Sequence, residues 1–346
     1  MAQETDYILS NSVKAFVKAE DTVGTVKTAD MTQLQTTSIS IPEITVPLEY
    51  SANRSGTQVA LVGQGNHVTG TNLWTFDTTI KGTTAAIKLA GGAVMTDTPG
   101  GSADMDLMNT YAFPIANYKT GATGATENTY TFLFQNAGSD TDGANNMLFH
   151  GCVATGMSLA QGIGSESGEL TITINWATGF MPEVTSTDPS GTTVQDVAVP
   201  KNIRTLDEEA TNVDAQEVVL QSWDLSMTRT IERIGYKNHE TDGSANAFEP
   251  FGYAMTGSWE VSGSISCIRN SSIHAMLNHF RDSNTVAINI LDDTAADFSV
   301  ILPTCYIGDT SMDLGGAVMT QTIPFTVVGA ANIASASEMV TIKADN

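Results

Sequence analysis

The sequence contains little cysteine: three residues in 346, Cys152, Cys267 and Cys305. An odd number of cysteines without C-x-x-C spacing excludes a disulfide framework and a structural zinc site. Each cysteine lies in an apolar strand pattern, so we expect all three to be small, buried hydrophobic residues.

Long hydrophobic runs are also missing. No stretch approaches the ~20 apolar residues that a transmembrane helix requires. The opening residues, Met1 to Asp6, are acidic and lack the basic and apolar regions of a signal peptide. The sequence therefore predicts a protein made in the cytoplasm, without a membrane partner.

Positive charge is scarce. The chain has 15 Lys and Arg against 38 Asp and Glu, a net charge of −23. Between Leu89 and Pro200, Lys119 is the single basic residue against eleven acidic ones. Binding to a nucleic-acid backbone requires Lys and Arg to displace counterions, so this composition argues against a DNA-binding protein. Acidity alone is equally expected of an abundant protein that must stay soluble.

Motifs for catalysis or metal binding are absent. His274 and His279 are separated by about 140° on a helix of 3.6 residues per turn, so they cannot share a metal ion. The Asp140–Gly143 segment is similar to a calcium loop, but Ala144 stands in place of the third ligand. No nucleotide-binding glycine motif or serine elbow is found, although carboxylates from distant strands can converge in space. We therefore predict a non-enzyme with no catalytic residue, cofactor or metal.

A series of elements occurs twice. The run from Trp74 to Ile80 alternates apolar and polar residues and is followed by a helical pattern over about residues 83–94. The run from Trp259 to Ile265 does the same, before a helical pattern over residues 273–280. A strand, a cysteine-bearing strand and a closing strand then follow in both copies. This fixed order indicates a duplication, the alternative being two unrelated β domains with a similar strand rhythm.

The predicted fold is mainly β, with two tandem β-sandwich domains that each carry one flanking α-helix. Thirty glycines, many Thr and Ser, and only 15% charged residues favour strands and turns. We divide the chain into an arm (1–35) expected to order only against a partner, a first domain (36–181) with a long loop (95–128), a linker (182–216) and a second domain (217–346).

Two segments of the second domain, Gly257–Ile265 before the helix and the closing Thr322–Thr326, resemble the tail tube proteins of long-tailed bacteriophages. The opening Val13–Thr25 is also similar to the start of many such proteins, and the resemblance covers both halves of the chain. It implies β-sandwiches of the phage tail-tube type whose sheets join edge to edge into stacked rings. Most such subunits carry one domain and form hexameric rings, so two domains in one chain imply a pseudo-hexameric ring of three chains.

The resemblance also implies the function and the partners. The tube would conduct viral DNA during ejection, with double-stranded DNA as a passenger that is not bound specifically. The expected partners are further copies of the chain, tail tip or terminator proteins and the tape-measure protein, and the expected location is the virion tail. Two alternatives remain open: another β-sandwich virion surface or decoration protein, and a carbohydrate-active β-sandwich protein.

If the chain forms a tube, alternation assigns polar side chains to the lumen. The candidate lumen-facing residues belong to two strands, and the sequence does not choose between them: Glu169, Thr171, Thr173 and Asn175, or Ser258, Glu260, Ser262 and Ser264. With so few cations, we expect the wall to be negative, because rows of Lys or Arg would retain each phosphate.

Overall fold

The computed structural model describes residues 13–41, 48–50, 65–67, 73–83, 86–87, 89–90, 96–97, 105–108, 129–135, 146–162, 168–194, 211–236, 250–255, 259–269, 276–291, 298–316, 318–328 and 338–344. The strands of the first half are β1 (Lys14–Ala19), β2 (Thr32–Gln33), β3 (Thr36–Ser40), β4 (Leu48–Tyr50), β5 (Gly65–His67), β6 (Trp74–Lys81), β7 (Thr96–Asp97), β8 (Met105–Met108), β9 (Tyr130–Gln135), β10 (Asn146–Gly162), β11 (Thr171–Thr178), β12 (Glu183–Thr185) and β13 (Thr193–Val194).

The strands of the second half are β14 (Asn212–Val213), β15 (Gln216–Glu217), β16 (Val219–Thr228), β17 (Ile231–Tyr236), β18 (Pro250–Met255), β19 (Glu260–Ile268), β20 (Thr285–Leu291), β21 (Phe298–Ile307), β22 (Ser311–Asp313), β23 (Thr320–Val327) and β24 (Glu338–Ala344). The helices are α1, which includes residues 86, 87, 89 and 90, and α2 (Met276–Asp282). The mainly β prediction is confirmed. No helix in the described ranges is long and apolar enough to span a membrane.

The first half folds as two sheets that share β10. One sheet runs β3, β6, β11 and the C-terminal part of β10; the other runs from the N-terminal part of β10 through β9 and β1 to β2. Aromatic rings fill the space between them: Phe132 lies 5.1 Å from Phe76 and 4.7 Å from Trp176, both edge-on. The indole Nε1 of Trp176 donates a hydrogen bond to Thr78 Oγ1 at 2.9 Å, which satisfies a buried donor.

The second half has the same strand order. Its sheet runs β16, β19, β23 and the C-terminal end of β21, which also pairs with β20. In each half a hairpin, β4–β5 or β17–β18, separates the first two strands of this sheet in sequence. Ile80 and Ile265 each stand six positions after a tryptophan and lie opposite Ile172 and Ile323 respectively.

The two halves are joined by strand pairing. The C-terminal part of β10 pairs antiparallel with β16, so one sheet continues from β3 through β6, β11, β10, β16, β19 and β23 to β21. Gly156 lies opposite Thr228, and a Cβ on this glycine would stand 2.6 Å from the carbonyl oxygen of Met227. Trp223 Nε1 also donates to Gln161 Oε1 at 3.0 Å across this joint.

The hairpin β17–β18 also reaches the first half, through Tyr253. The buried Tyr253 hydroxyl donates to the carbonyl of Gly151 at 2.8 Å and accepts from the N–H of Gly179 at 2.9 Å. Its ring belongs to a small apolar cluster with Phe180 and Val153. The hairpin thus covers the bend in β10, where Gly151 has a φ of 58°.

Beside this bend, Glu20 is a buried carboxylate with four donors. It accepts hydrogen bonds from the backbone N–H groups of Gly24 and Gly151, each at 2.8 Å, and from the hydroxyls of Thr129 and Thr131 at 2.6 and 2.8 Å. Burial raises the pKa of Glu20, and these hydrogen bonds oppose the increase. The carboxylate thereby ties the segment after β1 to β9 and β10.

Three of the predicted segments contain strands that pair with other parts of the chain. The predicted arm includes β1, which is ordered by pairing with β9 of the same chain and buries Phe16 and Val17. The predicted loop 95–128 includes two short strands, β7 and β8, of which β8 pairs with β24. The predicted linker 182–216 contributes β12, β13 and β14, which pair with β10, β2 and β20. Strands of two to six residues bounded by Thr, Asp and Gly carry too little periodicity to be recognised.

The aromatic core generates a stability prediction. Replacing the fully buried Phe132 with alanine should lower the free energy of unfolding by about 3–5 kcal/mol, through lost burial and the cavity left between the sheets. The matched control is Phe251→Ala, because Phe251 is 47% exposed; its cost should be about 0.5 kcal/mol. Urea unfolding of the unassembled chain measures both, and equal costs would contradict the assigned core.

A second prediction concerns His150, whose ring centroid lies 4.5 Å from that of Phe180. Nδ1 of this buried imidazole has no hydrogen-bond partner within the described ranges, and burial lowers the pKa of His150 to about 4. The folded state favours the neutral His150 ring. The contribution of His150 to the free energy of unfolding is therefore complete above its unfolded pKa near 6.5 and is lost as pH falls towards about 4.

The test compares the wild type with His150→Leu. From pH 7 to pH 4, the wild type should lose up to about 3 kcal/mol of unfolding free energy that the variant does not lose. Glu20 has the opposite effect on the pH dependence of the unfolding free energy, because its raised pKa favours the folded state at low pH. It is present in both proteins, so its effect cancels in the comparison. A difference between the two proteins that stays constant with pH would contradict the prediction.

Candidate functional site

The continuous sheet presents one polar surface, which we call the polar face: the side chains of β6, β11, β10, β16, β19 and β23 that point away from the core. Directly opposed residues share a face of a sheet. Thr173 lies opposite Thr79 on one side and Ser158 on the other. Ser158 lies opposite Ser226, which in turn lies opposite Ser262. The polar face therefore crosses from the first half to the second without interruption.

The described members of both sets of candidate lumen residues lie on or beside this one face. Thr171, Thr173 and Asn175 lie on β11, and Glu260, Ser262 and Ser264 lie on β19, with β10 and β16 between them in the same sheet. Glu169 precedes β11 and contacts Lys81 of β6. Ser258 lies outside the described residues. The two candidate strands therefore belong to one sheet and present their polar residues on the same side of it.

Hydroxyl and amide groups dominate the chemistry of the polar face. Thr79 and Thr173 share a hydrogen bond of 2.9 Å between their hydroxyls, and Asn175 Nδ2 donates to Asp77 Oδ1 at 2.7 Å. Further along, the Ser264 hydroxyl donates to the Asp224 carboxylate. Such cross-strand contacts hold the short side chains against the sheet and leave few long, mobile groups on the surface.

The charge of the polar face is negative. Its described carboxylates are those of Asp77, Asp224, Glu260 and the adjoining Glu169. Lys81 is the one cation on the described part of this face, and its Nζ lies 2.8 Å from Glu169 Oε2. A half-exposed pair of this kind contributes only about 0–1 kcal/mol to stability, but it neutralises the cation. Three carboxylates remain without a neighbouring basic group on the described face.

The polar face also includes residues on four other strands, which were not among the predicted candidates. Asp77, Thr79 and Lys81 alternate with the buried apolar residues of β6, the strand that begins at Trp74. Asp224 and Ser226 alternate in the same way with Trp223, Leu225 and Met227. The signal was therefore present as alternation; what the sequence could not give was the pairing that places these strands in one sheet.

Catalytic geometry does not emerge at the polar face. The described residues contain no group of three or more His, Cys, Asp or Glu side chains placed to hold a metal ion. The three cysteines are free and buried, as expected from their strand patterns, and burial raises the pKa of the Cys152 thiol. His279 Nε2 on α2 lies 2.9 Å from Asp214, in a contact between α2 and the turn between β14 and β15.

Comparison with known proteins supplies the class. A family model described as phage tail tube protein matches residues 10–327, most of both halves. The match places the chain among the structural proteins of bacteriophage tails, in agreement with its mainly β fold. The chain belongs to the phage tail tube protein family. A search of curated proteins finds no match to this chain.

Proposed function

We propose that the chain polymerises into stacked rings that form the tail tube and conduct viral DNA during ejection. The observation that carries this proposal is the family match over residues 10–327, together with a polar face that crosses both halves. On its described part, this wall consists of short hydroxyl side chains and carboxylates, and its one cation, Lys81, is held by Glu169, so it offers a phosphate backbone few counterion-releasing contacts. The DNA is therefore a passenger, and the function is structural rather than catalytic.

We also propose that the polar face lines the channel, which makes Glu169, Thr171, Thr173, Asn175, Glu260, Ser262 and Ser264 lumen residues, with Ser258 assigned by alternation alone. The opposite side of the sheet carries the apolar core, so it cannot be the solvent-facing wall. The polar side is the one surface of the sheet that can contact water and DNA.

The ring is proposed to contain three chains, with a duplicated β-sandwich giving six similar units around the axis. The repeated strand order, with a hairpin between the first two strands and Ile80 and Ile265 in matching registers, supports the duplication. The further partners are tail tip or terminator proteins and the tape-measure protein. The chain is made in the host cytoplasm and ends in the virion tail.

Electron microscopy of the purified protein tests assembly directly. Negative-stain images should show rings or tubes with six similar units per ring, and native mass spectrometry of single rings should give three times the chain mass of 36.5 kDa. Monomers or compact particles at every concentration and salt condition would contradict the tube. Six chains per ring would keep the tube and overturn the three-chain ring.

Charge reversal on the polar face tests the lumen assignment. The double variant Asp224→Lys/Glu260→Lys should still form tubes but should slow DNA ejection, because lysines attract each passing phosphate. The delay should shrink as salt rises from about 50 to 200 mM, as counterion release requires.

The matched control for charge reversal is Glu183→Lys/Glu232→Lys, which makes the same charge change at exposed residues of β12 and β17, away from the polar face. Control virions should eject DNA at the wild-type rate. Equal ejection rates for both double variants, in virions with normal tails, would contradict the lumen assignment.

A further inference from the structure

The continuous sheet ends in two open edges. At one end, β3 pairs with β6, and the described residues place no strand along its other side. At the other end, β21 and then β22 pair with β23, while the pairing of β21 with β20 stops at Tyr306. Beyond Tyr306, the side of this strand that faces away from β23 has no partner strand in the described chain.

Exposed apolar side chains concentrate at these edges. Ten large hydrophobic residues are exposed in the described chain, and six of them lie on or beside the two edges: Ile41, Tyr306, Met312, Leu314, Val318 and Met319. β3 itself, Thr36–Ser40, has no charged residue and no proline, the features with which monomeric proteins usually protect an edge strand. β3 thus has the composition of an edge that another strand covers, and the second edge combines exposed apolar residues with Asp309 and Asp313.

The chain already contains a joint between two such edges. Within the shared strand order, β16 stands in the second half where β3 stands in the first, and β10 stands where β21 stands. In the β10–β16 joint, Leu159 lies opposite Leu225 and Ser158 lies opposite Ser226. The core-side residues of this joint are buried, because each strand covers the apolar edge of the other.

The strand registers show which residues at the two open edges correspond to the residues of the β10–β16 joint. Leu225 lies opposite Gly263 of β19, and Ile39 lies opposite Thr78 of β6, where Gly263 and Thr78 each stand four positions after a tryptophan. Ile39 therefore corresponds to Leu225. Ser40 follows Ile39 as Ser226 follows Leu225. By the same reasoning through β11 and β23, Ser158 corresponds to Gly308, whose N–H donates to the Pro324 carbonyl at 2.8 Å.

We propose that β3 of one copy of this chain pairs antiparallel with the outer edge of residues 307–313 in the next copy, with Ser40 close to Gly308. This inference rests on the proposed ring assembly and names the strands that close it. Each contact between chains then repeats the β10–β16 joint inside a chain. Such a head-to-tail contact uses two different edges, so it leaves no free edge once the ring closes.

Disulfide trapping in assembled tubes tests the joint. Ser40→Cys is combined in turn with Gly308→Cys, Asp309→Cys and Thr310→Cys, a scan that covers the irregular pairing between Gly308 and Ser311. Two cysteines form a disulfide when their Cα atoms lie about 4.4–6.8 Å apart. The native cysteines are buried, so they do not compete.

The controls come from the same chain. Ser158→Cys/Ser226→Cys is the positive control, because these residues are opposed within the internal joint and should crosslink without joining chains. Ser40→Cys/Val184→Cys is the negative control, since Val184 is an exposed residue of β12, outside both edges.

The expected result is a ladder of covalent multimers on a non-reducing denaturing gel for at least one pair of the scan, ending at the number of chains in the ring. Tubes that form normally while every pair in the scan remains monomeric, with the positive control crosslinked, would overturn the joint and leave the tube intact. Failure of all variants and the wild type to form rings or tubes in the microscope would overturn the proposed function and the joint with it.

Discussion

The structure depends on one strand, β10, which pairs with four others: β9, β12, β11 and β16. β10 is 17 residues long; its first part closes the aromatic sandwich of the first half, and its last part accepts β11 on one side and β16 on the other. The bend at Gly151 makes this possible, and it is held by the Glu20 and Tyr253 hydrogen bonds. One of those bonds comes from the segment after β1 and the other from the β17–β18 hairpin, so both halves of the chain hold the bend.

The same geometry explains why a chain with so much negative charge can be built around a wide sheet. Short hydroxyl residues fill the polar face and bond to their cross-strand neighbours, so the few carboxylates are spread over β6, β16 and β19 rather than placed opposite each other. Like charges in direct opposition destabilise a sheet. The negative charge is thus compatible with the sheet, because threonine and serine residues lie between the carboxylates.

Much of this fold could be predicted from alternation. The Trp74 and Trp259 strands, the closing strands and their buried sides follow from period-two patterns, and these patterns also identified the tail tube resemblance. The polar-face residues on β11 and β19 were found in the same way. Alternation says which residues share a side of one strand, but it does not say which strands are neighbours. The shared polar face could therefore be recognised only from the pairings of β10. These pairings contain register shifts that a regular alternation does not predict.

Short strands at the margins were beyond prediction for a related reason: two to four residues contain no period. One of them has a mechanical consequence. β8 lies in the segment between α1 and β9, and it pairs with β24, which follows the last residue of the family match. Within the described residues, strand pairing therefore links the two halves at two places, β10–β16 and β8–β24, in addition to the Tyr253 hydrogen bonds. A load applied to one half is shared with the other, so the chain should yield as a single cooperative unit rather than one half at a time.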